Sequence, residues 1–284
     1  MPSIKLALCV DKSTERDDYL FDWIASASTE EPSVDIDRLN DIGFQGVTGG
    51  TTGLPKLTLS SYMLFTKCAN AFRKHMHVEG GGRNLVVAPI THAGGMLMQG
   101  MLAAGATNYM IQTPEPNAIL DLLEQQEITT LFLPPTLVYV LLKIPRIERR
   151  DFSSMRYLLT AGAPMAANKI EEATKVFGNV MCQGLGQTEV GFPVTFIGPA
   201  ETSEAISDSS KRERLSSCGK SCEVLDDLAI MDEAGNLLPV GEQGEIVMKG
   251  DTVIKNYLND EVATLEVQRY GWHHTGDVGF LGKV

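Results

Sequence analysis

The sequence predicts an α/β fold: a mostly parallel sheet with helices on both faces, followed by a small antiparallel β subdomain. Three observations carry this. Short apolar runs alternate with segments of helical period between residues 84 and 183, the pattern of parallel strands covered on both sides. The glycine-bearing segments follow those short runs, at the strand ends where ligands gather in such sheets. Beyond residue 217 the pattern becomes strands around a tight glycine turn, which is antiparallel chemistry.

Taken in order, residues 1–10 are apolar with little basic character, so a buried strand explains them better than a signal peptide. Residues 11–40 are polar and acidic, an irregular connector with a short helix near 19–24. Residues 43–56 form a loop rich in glycine and threonine, and residues 60–77 carry Tyr62, Phe65, Ala69 and Phe72 at helical spacing. The alternation then runs strand 84–88, helix 96–104, strand 107–111, helix 117–126 and strand 129–133. A helix begun by Pro135 follows, since proline suits a first turn, then strand 156–160, helix 166–177 and strand 180–183. Residues 200–217 are polar and charged, as a surface loop would be. Residues 224–231 and 244–249 read as strands flanking a turn at 232–236. The expected division is 1–42, an α/β subdomain over 43–199, the loop 200–217 and a β subdomain over 218–284.

Composition narrows the function. The 284 residues carry a formal net charge of −12, and such a surface repels phosphate backbones, which argues against a nucleic-acid binder. Hydrophobic residues make up 43% and charged residues 21%, ordinary for a folded soluble protein. The five cysteines, Cys9, Cys68, Cys182, Cys218 and Cys222, are too scattered for a disulfide framework and suit a reduced, cytoplasmic protein. Cys218 and Cys222 lack the second pair or nearby histidine that a zinc site needs. No apolar run approaches the ~18 residues that cross a bilayer.

The first chemical motif is Thr48-Gly-Gly-Thr-Thr-Gly-Leu-Pro-Lys56. Its glycines let backbone N–H groups turn toward an anion, its threonines add donors, and its lysine supplies a point charge. It is not a Walker A loop, because Leu54 and Pro55 separate Gly53 from Lys56. Alone, the segment fits a surface loop without ligand equally well. Its context decides. Thr51-Thr-Gly-Leu-Pro-Lys56 resembles the phosphate-loop signature of the adenylate-forming superfamily, of acyl-CoA synthetase and aryl-CoA ligase type. Five further segments are similar to the family's blocks, in the same order. They are Pro89-Ile-Thr-His-Ala-Gly-Gly95, Ala161-Gly-Ala-Pro-Met165, Leu185-Gly-Gln-Thr-Glu189, Gly244-Glu-Ile-Val-Met-Lys-Gly250 with Asn256-Tyr257, and Gly271-Trp-His-His-Thr-Gly-Asp-Val-Gly279.

The resemblance implies the N-terminal part of an acyl-CoA synthetase-like fold and a two-step reaction. A carboxylate attacks the α-phosphate of Mg2+-bound ATP to give an acyl-adenylate, and coenzyme A then displaces AMP. It assigns the outer phosphates to Thr48, Gly49, Gly50, Thr51, Thr52, Gly53 and Lys56, and the nucleoside to Gly162, Ala163, Pro164, Gly184, Leu185, Gly186 and Asp277. Thr188 is assigned to the reacting phosphate and Glu189 to the metal, with Lys56, Thr188 and Glu189 as the catalytic set. A carboxylate is a hard ligand suited to Mg2+, although a lone glutamate is otherwise more often a solvated surface group. Asp277 would accept ribose hydroxyls; outside its motif it reads as a turn cap. His92, Gly94, Gly95 and Gly184 would border the acid's pocket, although a lone histidine after a strand is often structural. His273 and His274 take no role, because neighbours on a strand diverge. Gly49 stands where many members have serine, Leu57 where glycine is usual, and Leu185 where an aromatic ring stacks on adenine.

In the family a longer first subdomain precedes the phosphate loop, and a mobile C-terminal domain follows the Thr-Gly-Asp block. The chain is therefore expected to be truncated at both ends, with the thioester step lost and the adenylation step slow. The expected substrate is a medium-to-long fatty acid or an aromatic acid. Two other readings stay open: a nucleotide-binding module impaired in catalysis, and an adenylation domain serving a carrier protein.

Overall fold

Backbone N–H and C=O groups inside an apolar layer must pair with one another, and among the described residues they pair in four sheets. The computed structural model describes residues 8–9, 18–25, 27–30, 33–48, 55–77 and 80–282. Two units are distinguished, residues 1–36 and 37–284. In the first, β1 (Leu8–Cys9) pairs in parallel with β2 (Asp18–Tyr19), and a short helix follows, α1 (Leu20–Ala25). The rest of the strand expected over residues 1–10 lies outside the described residues.

The second unit begins with β3 (Ile42–Val47) and β4 (Leu57–Ser61), antiparallel arms on either side of the glycine-rich segment. The expected loop over 43–56 is thus shorter at its N-terminal end, where residues 43–47 belong to β3, while its other end stands, since β4 begins at Leu57. Next comes α2 (Met63–Met76), which buries Leu64, Cys68, Ala71, Phe72 and Met76. That face is rotated from the expected one: Tyr62 is exposed, while Phe65 is half-buried edge-on to Phe44, ring centroids 5.1 Å apart. The helix carries apolar residues on two adjoining stripes, and its neighbours decided which one is covered.

The alternation follows as read. Its elements are β5 (Arg83–Val86), α3 (Ala93–Ala103), β6 (Thr107–Met110), α4 (Pro116–Gln125), β7 (Thr130–Phe132), α5 (Pro135–Leu141), β8 (Tyr157–Thr160), α6 (Ala167–Phe177) and β9 (Met181–Gln187). Then β10 (Gly191–Ile197) runs antiparallel to β9 with all seven residues buried. Sequence patterning missed this strand because it holds both a glycine and a proline, residues that argue against a sheet interior. The expected surface loop is instead largely helical: α7 (Pro199–Ser207), then a 3-10 turn over Ser209–Ser216. Pro199 opens α7, Glu201 accepts the Gly198 N–H at 3.2 Å, and Thr202 and Ala205 are buried. A polar composition concealed two buried positions on one face.

The last elements are β11 (Lys220–Ser221), β12 (Asp227–Met231), β13 (Gly244–Lys249), β14 (Asn256–Tyr257), α8 (Glu261–Val267) and β15 (His273–Gly279). The large sheet has the order β11-β10-β9-β8-β7-β5-β6, with β6, β5, β7, β8 and β9 parallel. Its strands alternate faces. Phe132, Leu159 and Cys182 enter one core with α2 and α3, while Leu131, Leu158 and Met181 enter another with α4, α5 and α6. Each fully buried leucine contributes about 1.5–3 kcal/mol. The expected antiparallel part is a sheet of β12-β13-β15, and β14 leaves it to join β4 and β3. Among the described residues no helix is long and apolar enough to cross a membrane.

Candidate functional site

The chain goes from β5 out to the edge strand β6, then returns to β7 on the other side of β5. Strand order reverses there, and loops that diverge at such a point leave a crevice at the carboxyl ends. A cleft of about 1100 Å3 occupies that position. Thr91 and His92 line it from the end of β5, Phe132 from β7, Ala161 and Gly162 from β8, and Gly186, Gln187, Thr188 and Glu189 from β9. The β3–β4 arms add Phe44, Thr48 and Lys56, β14 adds Tyr257, and β15 adds His273, His274 and Thr275.

One wall is a short relay. Thr48 and Lys56 close the base of the glycine-rich segment, Thr48 N–H donating to Lys56 O at 2.9 Å and Lys56 N–H to Thr48 Oγ1 at 3.2 Å. The Lys56 ammonium stands 5.1 Å from the centre of the Tyr257 ring, within cation–π range. The Tyr257 hydroxyl donates to Glu189 Oε1 at 2.9 Å, and Ile254 N–H donates to the Glu189 carbonyl at 2.8 Å. Burial pushes the Tyr257 hydroxyl pKa up, and the Glu189 charge pushes it further, so it stays a donor. Beneath, a Cβ at residue 46 would come within 2.6 Å of Thr188 Cγ2, so only glycine lets β3 pass under Thr188.

The opposite rim is a second network. Gln187 Nε2 donates to Thr275 O at 2.9 Å and to Asp277 Oδ2 at 3.0 Å, while its Oε1 faces His273 Nε2 at 3.3 Å. His274 Nδ1 is 2.7 Å from Glu245 Oε2, and Gly276 N–H donates to Glu245 Oε1 at 2.9 Å. Burial alone pushes the Glu245 carboxyl up, yet its net shift is downward because His274 and Gly276 hydrogen-bond its ionised form. His273 is only 2% exposed, and burial, reinforced by neighbouring His274, pushes its pKa down to about 4. It is therefore neutral at pH 7. The two histidines diverge as strand neighbours must, yet both line the cleft and both have polar partners. Sequence reasoning gave them, Gln187 and Tyr257 no role. For Gln187 and Tyr257 the available signal was their place inside two of the quoted motifs.

Of the residues singled out in the sequence, Thr48, Lys56, His92, Gly162, Gly186, Thr188 and Glu189 meet around this one cleft. Gly49, Gly50, Thr51, Thr52 and Gly53 lie outside the described residues. Gly94 and Gly95 are packing positions under the cleft. A Cβ at Gly95 would fall 1.9 Å from Ile90 O, and one at Gly94 2.8 Å from Ala88 O, so α3 starts hard against the β5 loop. Gly184 is buried within β9, where a Cβ would meet Thr195 O at 2.8 Å. Leu185 packs against the core, and Ala163, Pro164 and Asp277 are exposed and outside the lining. Among the described residues no cluster of three metal-ligating side chains exists. Glu189 offers one carboxylate oxygen, Oε2, for which no hydrogen-bond partner is present among the described residues.

Fold and site together define an α/β domain whose ligand cleft opens at the switch point of a mostly parallel sheet. The chain belongs to the AMP-binding enzyme family, whose profile matches residues 2–258. It is similar to a feruloyl-CoA synthase of Amycolatopsis sp, 32% identical over 256 residues, covering 89% of this chain and 50% of that protein. It is also similar to the medium/long-chain-fatty-acid–CoA ligase FadD8 of Mycobacterium tuberculosis, 28% identical over 81% of this chain and 39% of that protein. Among solved structures it resembles the amide bond synthetase McbA of Marinactinospora thermotolerans, with TM-score 0.83, 28% identity, and 98% of this chain and 53% of that one covered. The chain spans about half the length of the curated relatives it matches.

Proposed function

We propose that this chain carries the nucleotide and acid sites of an ATP-dependent acid–thiol ligase, which joins a carboxylic acid to AMP and passes the acyl group to coenzyme A. The observation that carries this reading is the single cleft into which Lys56 from the β3–β4 arms, Thr188 and Glu189 from the end of β9, and His92 from the end of β5 converge. Bringing two substrates together in one crevice lowers the entropic barrier to their reaction. The carboxylate oxygen attacks the α-phosphorus of ATP, and the bond to pyrophosphate breaks. The thiol of coenzyme A then attacks the acyl carbon, and AMP leaves.

Each residue has a part. Lys56 and the glycine-rich segment hold the outer phosphates. Thr188 donates to the α-phosphate as charge moves off it. Asp277 takes the ribose hydroxyls, and Gly162, Ala163, Pro164, Gly184, Leu185 and Gly186 flank the base. His92 stands over the acid, with Gly94 and Gly95 shaping that end from below. Mg2+ fits as an ion carried in on the phosphates with one carboxylate from Glu189, rather than as a protein-caged ion; it would neutralise phosphate charge.

Phe132, Phe192 and Met96 line the same cleft, and the rings of Phe132 and Phe192 are 5.6 Å apart. That apolar wall, with relatives named for feruloyl and medium/long-chain fatty acids, supports an aromatic or medium-to-long aliphatic acid. The buried, unbridged cysteines Cys68, Cys182 and Cys222 suit the cytoplasm. ATP–pyrophosphate exchange with a panel of acids tests the reading. Exchange dependent on an aromatic or long aliphatic acid, and abolished in Glu189→Gln, is the expected outcome. ATP bound without exchange under any acid would instead leave a nucleotide-binding module.

A further inference from the structure

The carboxamide of Gln187 is the only side chain among the described residues that donates to the Asp277 carboxylate. Its orientation follows from what surrounds it. Thr275 O and Asp277 Oδ2 are acceptors only, so the two Nε2 hydrogens must face them, at 2.9 and 3.0 Å. The amide oxygen is then left toward His273, whose Nε2 stands 3.3 Å away and must be the protonated nitrogen. Both ends of the amide are thus engaged by β15 while its stem belongs to β9.

We propose that Gln187 is a positioning residue for the ribose: it fixes the Asp277 carboxylate with one oxygen tied and the other open, ready to accept ribose hydroxyls. This rests on the adenylating reading given above. The backbone around Asp277 is held independently. Asp277 N–H donates to Thr275 Oγ1 at 3.1 Å, Thr275 Oγ1 donates to Ile246 O at 2.7 Å, and Gly276 N–H donates to Glu245. The carboxylate itself is exposed, and an exposed aspartate otherwise samples several rotamers whose freedom is lost on binding. Gln187 removes that freedom beforehand, which is preorganisation. It also immediately precedes Thr188 and Glu189, so one strand end sets the phosphate-side groups and, through the amide, the ribose-side group.

Ligand chemistry separates positioning from general support of the fold. AMP and 2′,3′-dideoxy-AMP are titrated calorimetrically into the wild-type chain, Gln187→Leu, Gln187→Glu and Asp277→Ala. Gln187→Leu is expected to weaken AMP about five- to tenfold, as loss of a hydrogen bond to a charged group does, while dideoxy-AMP changes by less than about twofold. Gln187→Glu should weaken AMP more than Gln187→Leu, because it sets a carboxylate against Asp277 and Thr275 O. If Gln187→Leu does not fold, Gln187→Met keeps the length and gives the same readout. Equal losses for both nucleotides, or no loss for either, would overturn the role of Gln187 alone. No AMP binding by the wild-type chain, or none of the affinity lost in Asp277→Ala, would overturn the nucleotide reading and this inference with it.

Discussion

Glu189 receives a hydrogen bond from Tyr257 on one oxygen, while the other has no partner among the described residues, so the two residues should separate on mutation. Tyr257→Phe removes one bond to a charged acceptor and should cost about 1–2 kcal/mol of stability in urea melts. Glu189→Gln should leave stability closer to wild type yet abolish acid-dependent exchange. His273 supplies a pH test. Its folded pKa, about 4, is below the 6.5 usual for a histidine, so the unfolded chain binds the proton more readily. Its contribution is therefore complete above the unfolded pKa and is lost as pH falls toward the folded one. Between about pH 7 and about pH 4.5 the chain should lose about 2–3 kcal/mol through this residue. Glu245, with its pKa lowered, adds to the loss at the acid end of that range. A His273→Leu variant should show a shallower acid limb in denaturant midpoints measured across this range. An unchanged limb would mean that His273 is not the buried neutral group described.

At the scale of elements, the site depends on how closely strands and helices start and stop. The sequence placed the helix after β5 at 96–104, whereas α3 begins at Ala93. Glycines weaken a helical reading, yet here Gly94 and Gly95 are what permit the start, because the β5 loop lies against them. Gly95→Ala should therefore destabilise by about 2–3 kcal/mol through overpacking, despite the better helix propensity of alanine, and a thermal melt will show the sign. The β3–β4 pair shows the converse. Its glycine-rich character was plain in the sequence, but the pairing that closes it through Thr48 and Lys56 is a long-range fact. Similarly, β10 carried a glycine and a proline that hid it, yet all seven of its residues are buried, with Phe192, Val194 and Phe196 in the core beside α2 and α3.

At the scale of the whole molecule, the net charge of −12 sets the company the chain keeps. A mobility-shift assay with duplex DNA at about 0.15 M salt should show no retarded species, since affinity for a phosphate backbone requires clustered cations; a shift would reveal a basic patch. The alternation of strands and helices between residues 84 and 183, the parallel character of that sheet and the family motifs were legible in the linear sequence. Local periodicity and short contiguous blocks encode them. Part of the lining of the candidate cleft was legible for the same reason, because Thr48, Lys56, His92, Thr188 and Glu189 stand inside such blocks. What the sequence could not decide is which side chains meet. Tyr257 reaches Glu189 only because β14 joins β4, and Gln187 reaches Asp277 only because β15 lies beside the end of β9. Nor could it show that Gly94, Gly95 and Gly184 lie in the packing beneath the cleft. Residue type and spacing determine which elements form; the meeting of groups as distant in the sequence as Gln187 and Asp277, or Lys56 and Tyr257, is determined by tertiary packing, which no local pattern records.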